Sequence, residues 1–313
     1  MPLHPEVEHF LATIAAQGPP TASGALSPTQ MRENMAGQWI RTAPMAEVGA
    51  NYRRTIDTDQ ATLPVRVFAP TGDGPFPLLV WFHGGGWVIG SPDENEAACR
   101  AICRMANCVV MSVDYRLAPE HRFPTAAWDA FASLRWAAEH GGELSADPSR
   151  IAVAGESAGG NLAAVCALMT RDLGGPRLAL QVLVSPVLGS PADGRQSYVD
   201  YSDGYFMSGA SMDWFFEQYP RDTADLDNPY LLPLAAKDLG GLAPAMVLTA
   251  EYEVLRDEGE EYAHRLRDAG VACELIRFDG QIHGFFGLLD EHLSVSATAH
   301  AQVAAALRKA CEG

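Results

Sequence analysis

Runs of apolar residues alternate with amphipathic segments along most of the 313-residue chain. Several runs, among them PLLVWF and RIAVAG, are almost continuously apolar, as expected of strands whose two sheet faces are covered by helices. The pattern predicts an α/β fold with a mostly parallel sheet flanked by helices. Eight strands are predicted, at residues 52–58, 64–69, 78–83, 108–114, 150–155, 179–185, 245–250 and 273–278.

Amphipathic segments of helical length lie between the later strands. The first two strands follow each other closely, and the second, in PVRVFAP, alternates apolar and polar residues. We therefore expect these two to form an antiparallel hairpin ahead of the parallel strands. The predicted helices lie near residues 94–106, 126–139, 158–171, 256–269 and 295–310.

Two regions interrupt this alternation. Residues 1–45 contain amphipathic, proline-interrupted segments, and residues 188–230 insert a segment rich in Tyr, Phe, Trp and Met between two strands. So much aromatic surface needs something to pack on. We expect the two regions to form a cap over the carboxyl edge of the sheet, where open α/β sheets bind ligands. Residues 46–187 and 231–313 then form the core.

Charge and composition narrow the classes of function. The formal net charge of −17 disfavours nucleic acids and anionic membrane surfaces as partners. No run approaches the roughly 18 apolar residues of a membrane span. The N-terminus lacks the basic and apolar regions of a secretory signal, and the six cysteines lie outside metal or disulfide spacings. These features predict a cytoplasmic protein with reduced thiols.

The first chemical motif is GESAG at residues 155–159, within RIAVAGESAGGNLAAV. It joins a predicted buried strand to a predicted helix, which is the context of the G-x-S-x-G nucleophile elbow. The glycines allow a sharp turn that holds Ser157 in a strained conformation with its hydroxyl exposed. The helix N-terminus beside it, including the Ala158 N–H, stabilises negative charge. Ser157 is therefore the predicted nucleophile.

The second motif is a glycine loop in LLVWFHGGGWVIGS, which follows a strand ending at His83. Gly84, Gly85 and Gly86 expose backbone N–H groups at close range. Acyl transfer develops an oxyanion, and each preorganised donor there contributes about 2.7–4 kcal/mol. The loop is predicted to supply such donors, and His83 is expected to hold its shape.

A serine nucleophile needs a base, and the chain has nine histidines. His283 follows the last predicted strand in FDGQIHGFFGL, in a glycine-flanked turn suited to a catalytic loop. It also completes the chain order serine, acid, histidine. His83 is expected to be structural, and the remaining histidines precede the fold or lie in and beside helices. His283 is therefore the predicted base.

Together these motifs resemble the hormone-sensitive-lipase-like (family IV) bacterial carboxylesterases of the α/β-hydrolase fold. The resemblance covers nearly the whole chain. It implies ester hydrolysis without a metal or organic cofactor, a preference for short to medium acyl chains, a two-part cap, and a homodimer as one assembly state. It also implies that the oxyanion-hole donors are Gly85, Gly86 and Ala158. The matching segments are HGGGW at 83–87, DYRLAPEHRFP at 114–124, GESAGGNLA at 155–163, residues 228–260 and HGF at 283–285.

The chain departs from this family in two motifs. The family's usual elbow is G-D-S-A-G-G, and this chain has Glu156 where that motif has aspartate. The expected consequence is a change in local packing. The family's D-P-L-R-D-E-G reads EVLRDEG here, which puts Glu253 at the position of the triad acid. A glutamate can accept the imidazole hydrogen bond, because such triads use either Asp or Glu.

Other carboxylates in TAEYEVLRDEGEEYA, residues 249–263, are alternatives to Glu253. Asp257 lies one helical turn later and matches the family's second, non-triad acid. Glu251 ranks last. The three remaining acids are predicted to form the solvated face of a helix: Glu258, Glu260 and Glu261.

We therefore predict a serine carboxylesterase that acts on a small-molecule ester through a triad of Ser157, Glu253 and His283. One alternative is a small-molecule receptor, because the plant gibberellin receptors share the fold and have lost catalysis. Another is an amidase, deacetylase or lactonase that uses the same residues. Six aromatic residues are candidates either for the substrate pocket or for core packing: Trp87, Phe206, Trp214, Phe215, Phe285 and Phe286.

Overall fold

The computed structural model describes residues 2–16, 26–38 and 43–312. The predicted N-terminal cap segment, 1–45, therefore lies partly outside the described residues. In the described parts the strands form one sheet in the order β1-β2-β4-β3-β5-β6-β7-β8. The strands are β1 (Ala50–Asp57), β2 (Thr62–Ala69), β3 (Phe76–Phe82), β4 (Val109–Val113), β5 (Ala146–Glu156), β6 (Leu178–Val184), β7 (Ala245–Tyr252) and β8 (Cys273–Ile282).

Strand pairing is antiparallel between β1 and β2 and between β2 and β4, and parallel between all other neighbours. The predicted α/β fold, with a mostly parallel eight-stranded sheet and an antiparallel hairpin at its start, is confirmed. The α-helices are α1 (Pro5–Ala16), α2 (Pro28–Gln38), α3 (Glu96–Ala106), α4 (Thr125–His140), α5 (Ala158–Leu173), α6 (Gln196–Asp200), α7 (Gly209–Gln218), α8 (Arg256–Asp268) and α9 (Val295–Cys311).

Helices cover both faces of the sheet, which explains the continuously apolar strands. In β3, Leu78, Val80 and Phe82 belong to the core shared with α4, α5 and α8. Leu79 and Trp81 belong to a second core, shared with α3, α9 and α1. Because side chains alternate along a strand, one apolar run supplies both cores.

Parallel pairing brings the carboxyl ends of several strands to one edge of the sheet. Phe82 at the end of β3 pairs with Gly155 near the end of β5, and Tyr252 at the end of β7 pairs with Ile282 at the end of β8. The loops after these strands contain the motifs found in the sequence, so the fold gathers them at one edge. Over the described parts of the chain, every helix is too short or too polar to cross a lipid bilayer.

Candidate active site

Ser157 occupies a sharp turn between the end of β5 and the start of α5. Its backbone angles are φ 59° and ψ −120°, a sparsely populated region for a residue with a side chain. Glycines allow the close crossing around it: a Cβ on Gly159 would lie 2.0 Å from the Phe82 carbonyl oxygen, and one on Gly155 would lie 2.3 Å from the Gly159 carbonyl oxygen. The strand and the helix can therefore meet at Ser157 only with glycine at both positions.

Backbone hydrogen bonds fix this turn. The Ser157 N–H donates to the Val184 carbonyl over 2.8 Å, and the Ser157 carbonyl accepts from the N–H groups of Asn161 at 3.0 Å and Val187 at 3.3 Å. The side chain is 5% exposed. The serine is thus held rigidly at the carboxyl edge of the sheet.

The glycine loop runs beside Ser157. A Cβ on Gly84 would lie 3.4 Å from the Ser157 Cβ atom. Gly85 and Gly86 have φ values of 105° and 58°, which favour glycine. A Cβ on Gly86 would also lie 2.2 Å from the Phe215 ring, so the ring covers this peptide directly. The glycine loop therefore passes directly beside the serine at Gly84.

His83, the residue before the three glycines, stabilises the loop through its buried side chain. Its Nδ1–H donates to the Gly84 carbonyl over 2.7 Å, and its ring stacks on Tyr115 with centroids 4.3 Å apart. Burial lowers the pKa of His83 to about 4, so the imidazole is neutral near pH 7. These contacts agree with the expected structural role.

Glu253 and His283 contact each other at the ends of β7 and β8. Glu253 Oε2 lies 2.8 Å from His283 Nδ1, and both side chains are buried. The second oxygen of Glu253 accepts from the Ala250 N–H at 2.7 Å and from the Ser185 hydroxyl at 3.0 Å. Every oxygen of this carboxylate therefore has a partner, and the imidazole is oriented through Nδ1.

The alternative acids make other contacts. Asp257 Oδ2 accepts from the Ser197 N–H over 2.8 Å, and its other oxygen lies 2.8 Å from Arg256. Glu251 Oε2 accepts from the Gly280 N–H over 2.7 Å. Among the carboxylates of the 249–263 segment, the contact with His283 is made by Glu253.

The prediction that Glu258 lies on a solvated helix face is wrong. Its side chain is fully buried, because it shares the inward face of α8 with Tyr262 and Leu266 at helical spacing. Its Oε1 accepts from the Leu188 N–H over 2.7 Å. Burial raises the pKa of Glu258 to about 8.

The two neighbouring acids of α8 differ from Glu258. Glu261 is exposed and pairs with Arg195 over 3.0 Å. Glu260, whose side chain is 16% exposed, pairs with Arg277. The solvated face thus includes Glu261 and only part of Glu260.

Glu156, the residue before the nucleophile, is also buried. Its Oε2 accepts from the Asn95 side-chain amide at 3.3 Å, and its Oε1 accepts from the Gly287 N–H at 3.4 Å. Burial raises the pKa of Glu156 to about 7, and the nearby His283 opposes that rise. The acid side chain in the elbow therefore reaches toward the loop that contains His283.

Asn161, in the first turns of α5, joins the two ends of the 188–230 insert. Its side-chain amide donates to the Val187 carbonyl over 2.8 Å and to the Leu231 carbonyl over 2.7 Å. These two residues directly precede and follow the insert, and Asn161 is fully buried. One side chain of the nucleophile helix thus holds both attachment points.

Sequence reasoning missed Ser185, Asn95 and Asn161. Ser185 had a signal, because it ends the apolar run LQVLVS at the edge where the motifs lie. Asn161 lies inside the recognised GESAGGNLA motif, but its two partners are 26 and 70 residues away. Asn95 had no comparable signal, since its contact with Glu156 depends on the tertiary fold.

The aromatic candidates divide into two groups. Phe285 and Phe286 are fully buried in the second core, and Phe286 stacks on Trp81 at 5.8 Å. Trp87 is also buried and stacks on Tyr219 at 4.4 Å. The other three candidates belong to the 188–230 insert, where Trp214 and Phe215 are also buried and Phe206 is half-buried.

A family model described as alpha/beta hydrolase fold matches residues 79–287. A carboxylic ester hydrolase of Mycobacterium tuberculosis is 46% identical over 232 residues, which are 72% of this chain and 61% of that relative. The chain thus spans less than two thirds of that relative. An arylesterase of Saccharolobus solfataricus is 38% identical over 288 residues, covering 92% of this chain and 93% of the relative.

The solved structures include a similar fold over nearly the full length. The crystal structure of a thermostable esterase from Pseudomonas putida superposes with a TM-score of 0.94 at 35% identity. The match covers 99% of this chain and 98% of the other. Its likeness extends beyond residues 79–287 to the segments on either side.

Proposed function

Because this chain belongs to the hormone-sensitive-lipase-like branch of the α/β-hydrolase fold family, we propose that it is a serine carboxylesterase. The relatives named above are esterases, which supports carboxylic ester hydrolysis as the reaction. The observation that carries the proposal is the buried 2.8 Å contact between Glu253 and His283 at the sheet edge that also presents Ser157. The proposed substrates are esters with short to medium acyl chains.

Acylation begins with the Ser157 hydroxyl. As its Oγ attacks the ester carbonyl carbon, its proton passes to His283 Nε2, the nitrogen not used in the contact with Glu253. The carbonyl oxygen becomes an oxyanion. Collapse of this intermediate breaks the bond to the alcohol oxygen, which takes the proton from His283, and the acyl group remains on Ser157.

Deacylation repeats these steps with water. His283 takes a proton from water as the hydroxide attacks the acyl-enzyme, and then returns a proton to Ser157 as the acid leaves. Glu253 stays ionised and stabilises the imidazolium in both halves. Its fixed second oxygen keeps the imidazole in the tautomer with hydrogen on Nδ1.

The proposed oxyanion hole consists of Gly85, Gly86 and Ala158. The positive φ angles of the two glycines and the position of Ala158 at the start of α5 support this assignment. Backbone donors and the helix N-terminus stabilise charge that appears only in the intermediate, so they lower the barrier rather than tighten substrate binding.

We also propose that residues 1–45 and 188–230 form a cap. Phe10 and Phe206, one from each region, have ring centroids 5.8 Å apart, and Phe215 covers Gly86 of the glycine loop. An aromatic cap here would limit the length of the acyl chain. A homodimer and a cytoplasmic location stay predictions.

The direct test is hydrolysis of p-nitrophenyl butyrate by the wild type and by Ser157→Ala. We expect the variant to lose at least about a thousandfold in kcat, because the nucleophile is gone. Full activity in Ser157→Ala would contradict the proposal. Comparing turnover of the ester with that of its matched amide separates an esterase from an amidase. A wild type that binds small molecules but hydrolyses neither substrate would favour the alternative of a small-molecule receptor.

A further inference from the structure

We propose that Glu156 is a positioning residue for the same reaction: it ties the His283 loop to the nucleophile elbow, and its carboxylate stabilises the imidazolium form of His283. This inference rests on the proposed function, since it concerns the base of that reaction. It assigns a role to the residue at which this chain departs from the family's usual elbow.

The position of Glu156 links three separate elements. Its backbone ends β5 and directly precedes Ser157. Its side chain accepts from Asn95, which precedes α3, and from the N–H of Gly287, four residues after His283. A shift of the His283 loop would therefore break a contact with the nucleophile's own neighbour.

Close packing shows that this junction is filled. A Cβ on Gly287 would lie 2.7 Å from Glu156 Oε2 and 2.4 Å from Asn95 Nδ2. The two side chains thus occupy the volume that any larger residue at position 287 would need. Glycine at this position lets the loop approach the elbow.

The electrostatics of the junction point to His283. A buried carboxylate needs strong partners, yet its two donors here are uncharged and lie at long distances of 3.3 and 3.4 Å. Among the residues that the structure describes, the ionisable groups that act on its charge are His283, from the loop after β8, and Glu253, from the loop after β7. Glu253 repels the negative charge, whereas a protonated His283 attracts it.

The attraction is largest when His283 carries a proton, which in the proposed mechanism happens during each proton transfer. An interaction that appears only at that stage accelerates the reaction. Because burial raises the pKa of Glu156 to about 7, its carboxyl gains or loses a proton in the neutral range. The ionised form then supports the imidazolium, and the protonated form does not.

The first experiment follows the His283 imidazole by NMR as a function of pH, with the resonance assigned through a His283→Gln variant. Glu156→Gln removes the charge and keeps the shape. We expect the midpoint of the His283 titration to move to lower pH by about half a unit to one unit. An unchanged midpoint would overturn the proposal.

Glu258→Gln is the matched control. It is the same substitution of a fully buried glutamate, but Glu258 contacts the Leu188 N–H rather than the His283 loop. The control should leave the His283 midpoint unchanged. An equal shift in both variants would mean a general effect of buried charge and would contradict the role of Glu156.

The second readout is kinetic. For p-nitrophenyl butyrate near pH 8, Glu156→Gln should lower kcat by about three- to tenfold with little change in KM. Glu156→Asp keeps the carboxylate, so the fall of its kcat toward acid pH should match that of the wild type. An inactive wild type would refute the proposed esterase function, while the NMR titration would still decide the link between Glu156 and His283.

If Glu156→Gln does not fold, Gly287→Ala provides the second variant. Its added methyl group must displace the Glu156 and Asn95 side chains while leaving the charge in place. The His283 midpoint should again fall, by less than in Glu156→Gln. An unchanged midpoint in a folded Gly287→Ala protein would also overturn the proposal.

Discussion

The carboxylate of Glu253 lies 2.8 Å from His283 Nδ1, although the residue is one methylene longer than the aspartate usual at this position. The extra length is accommodated because the second oxygen turns back to the Ala250 N–H and the Ser185 hydroxyl. Both oxygens of the Glu253 carboxylate are thereby held by buried partners.

Glu253→Gln should lower kcat for p-nitrophenyl butyrate by about three to four orders of magnitude. The amide keeps the size but cannot stabilise the imidazolium, and it can present the wrong tautomer to His283. Asp257→Asn is the control, because Asp257 contacts Ser197 and Arg256 instead. If Asp257→Asn proves as damaging as Glu253→Gln while both proteins remain folded, Glu253 is not the triad acid.

Gly86→Ala should reduce kcat by about a hundredfold or more. The added Cβ is disfavoured at φ 58° and collides with the Phe215 ring, so the proposed oxyanion donor must move. Gly142→Ala is a suitable control, since a Cβ there meets nothing within 4 Å. Steady-state kinetics with matched circular dichroism would check this, and near-normal turnover in Gly86→Ala would remove Gly86 from the oxyanion hole.

Glu258 should make stability depend on pH. Because burial raises its pKa from 4.5 to about 8, the folded protein binds more protons than the unfolded chain between these values. Its contribution to the free energy of unfolding therefore decreases as pH rises through this window. Between about pH 5 and pH 9 the wild type should therefore lose free energy of unfolding that Glu258→Gln keeps. The difference in free energy of unfolding, variant minus wild type, should be larger at about pH 9 by on the order of a few kcal/mol.

Urea unfolding at both pH values measures this difference. Glu261→Gln is the control, since Glu261 is exposed and its ion pair contributes little. A Glu258→Gln protein with the same pH dependence as the wild type would show that burial of this carboxyl does not govern the effect.

Asn161→Asp should destabilise the protein by about 1–3 kcal/mol. A carboxylate cannot donate to the carbonyls of Val187 and Leu231, and both would lose a buried partner. Thermal unfolding measures the loss. Limited proteolysis should also show faster cleavage within residues 188–230, and unchanged cleavage there would mean that other contacts hold the insert.

The sequence predicted the parts of the molecule that depend on local pattern. Apolar runs located the eight strands, and the turns after β5, β7 and β8 located Ser157, Glu253 and His283. The latter two follow paired strand ends, and the structure puts their side chains in contact. Their catalytic roles stay predictions.

The remaining features depend on packing between distant segments. Tyr262 and Leu266 follow Glu258 at helical spacing and mark the inward face of α8, but the run of charged residues around Glu258 led to the prediction of a solvated side chain, which is buried. Glu156 was expected to affect local packing, but its partners lie 61 and 131 residues away. Such contacts follow from the three-dimensional arrangement of the loops rather than from any short motif.

Asn161 connects the helix behind the nucleophile to both ends of the 188–230 insert. The residues between these ends can therefore vary without loss of the two hydrogen bonds that attach the insert to α5. The insert is in this sense an exchangeable segment with two fixed attachment points on α5. Replacing residues 188–230 with the corresponding segment of a related esterase should change the ester preference, because the proposed catalytic residues Ser157, Glu253 and His283 all lie outside the insert.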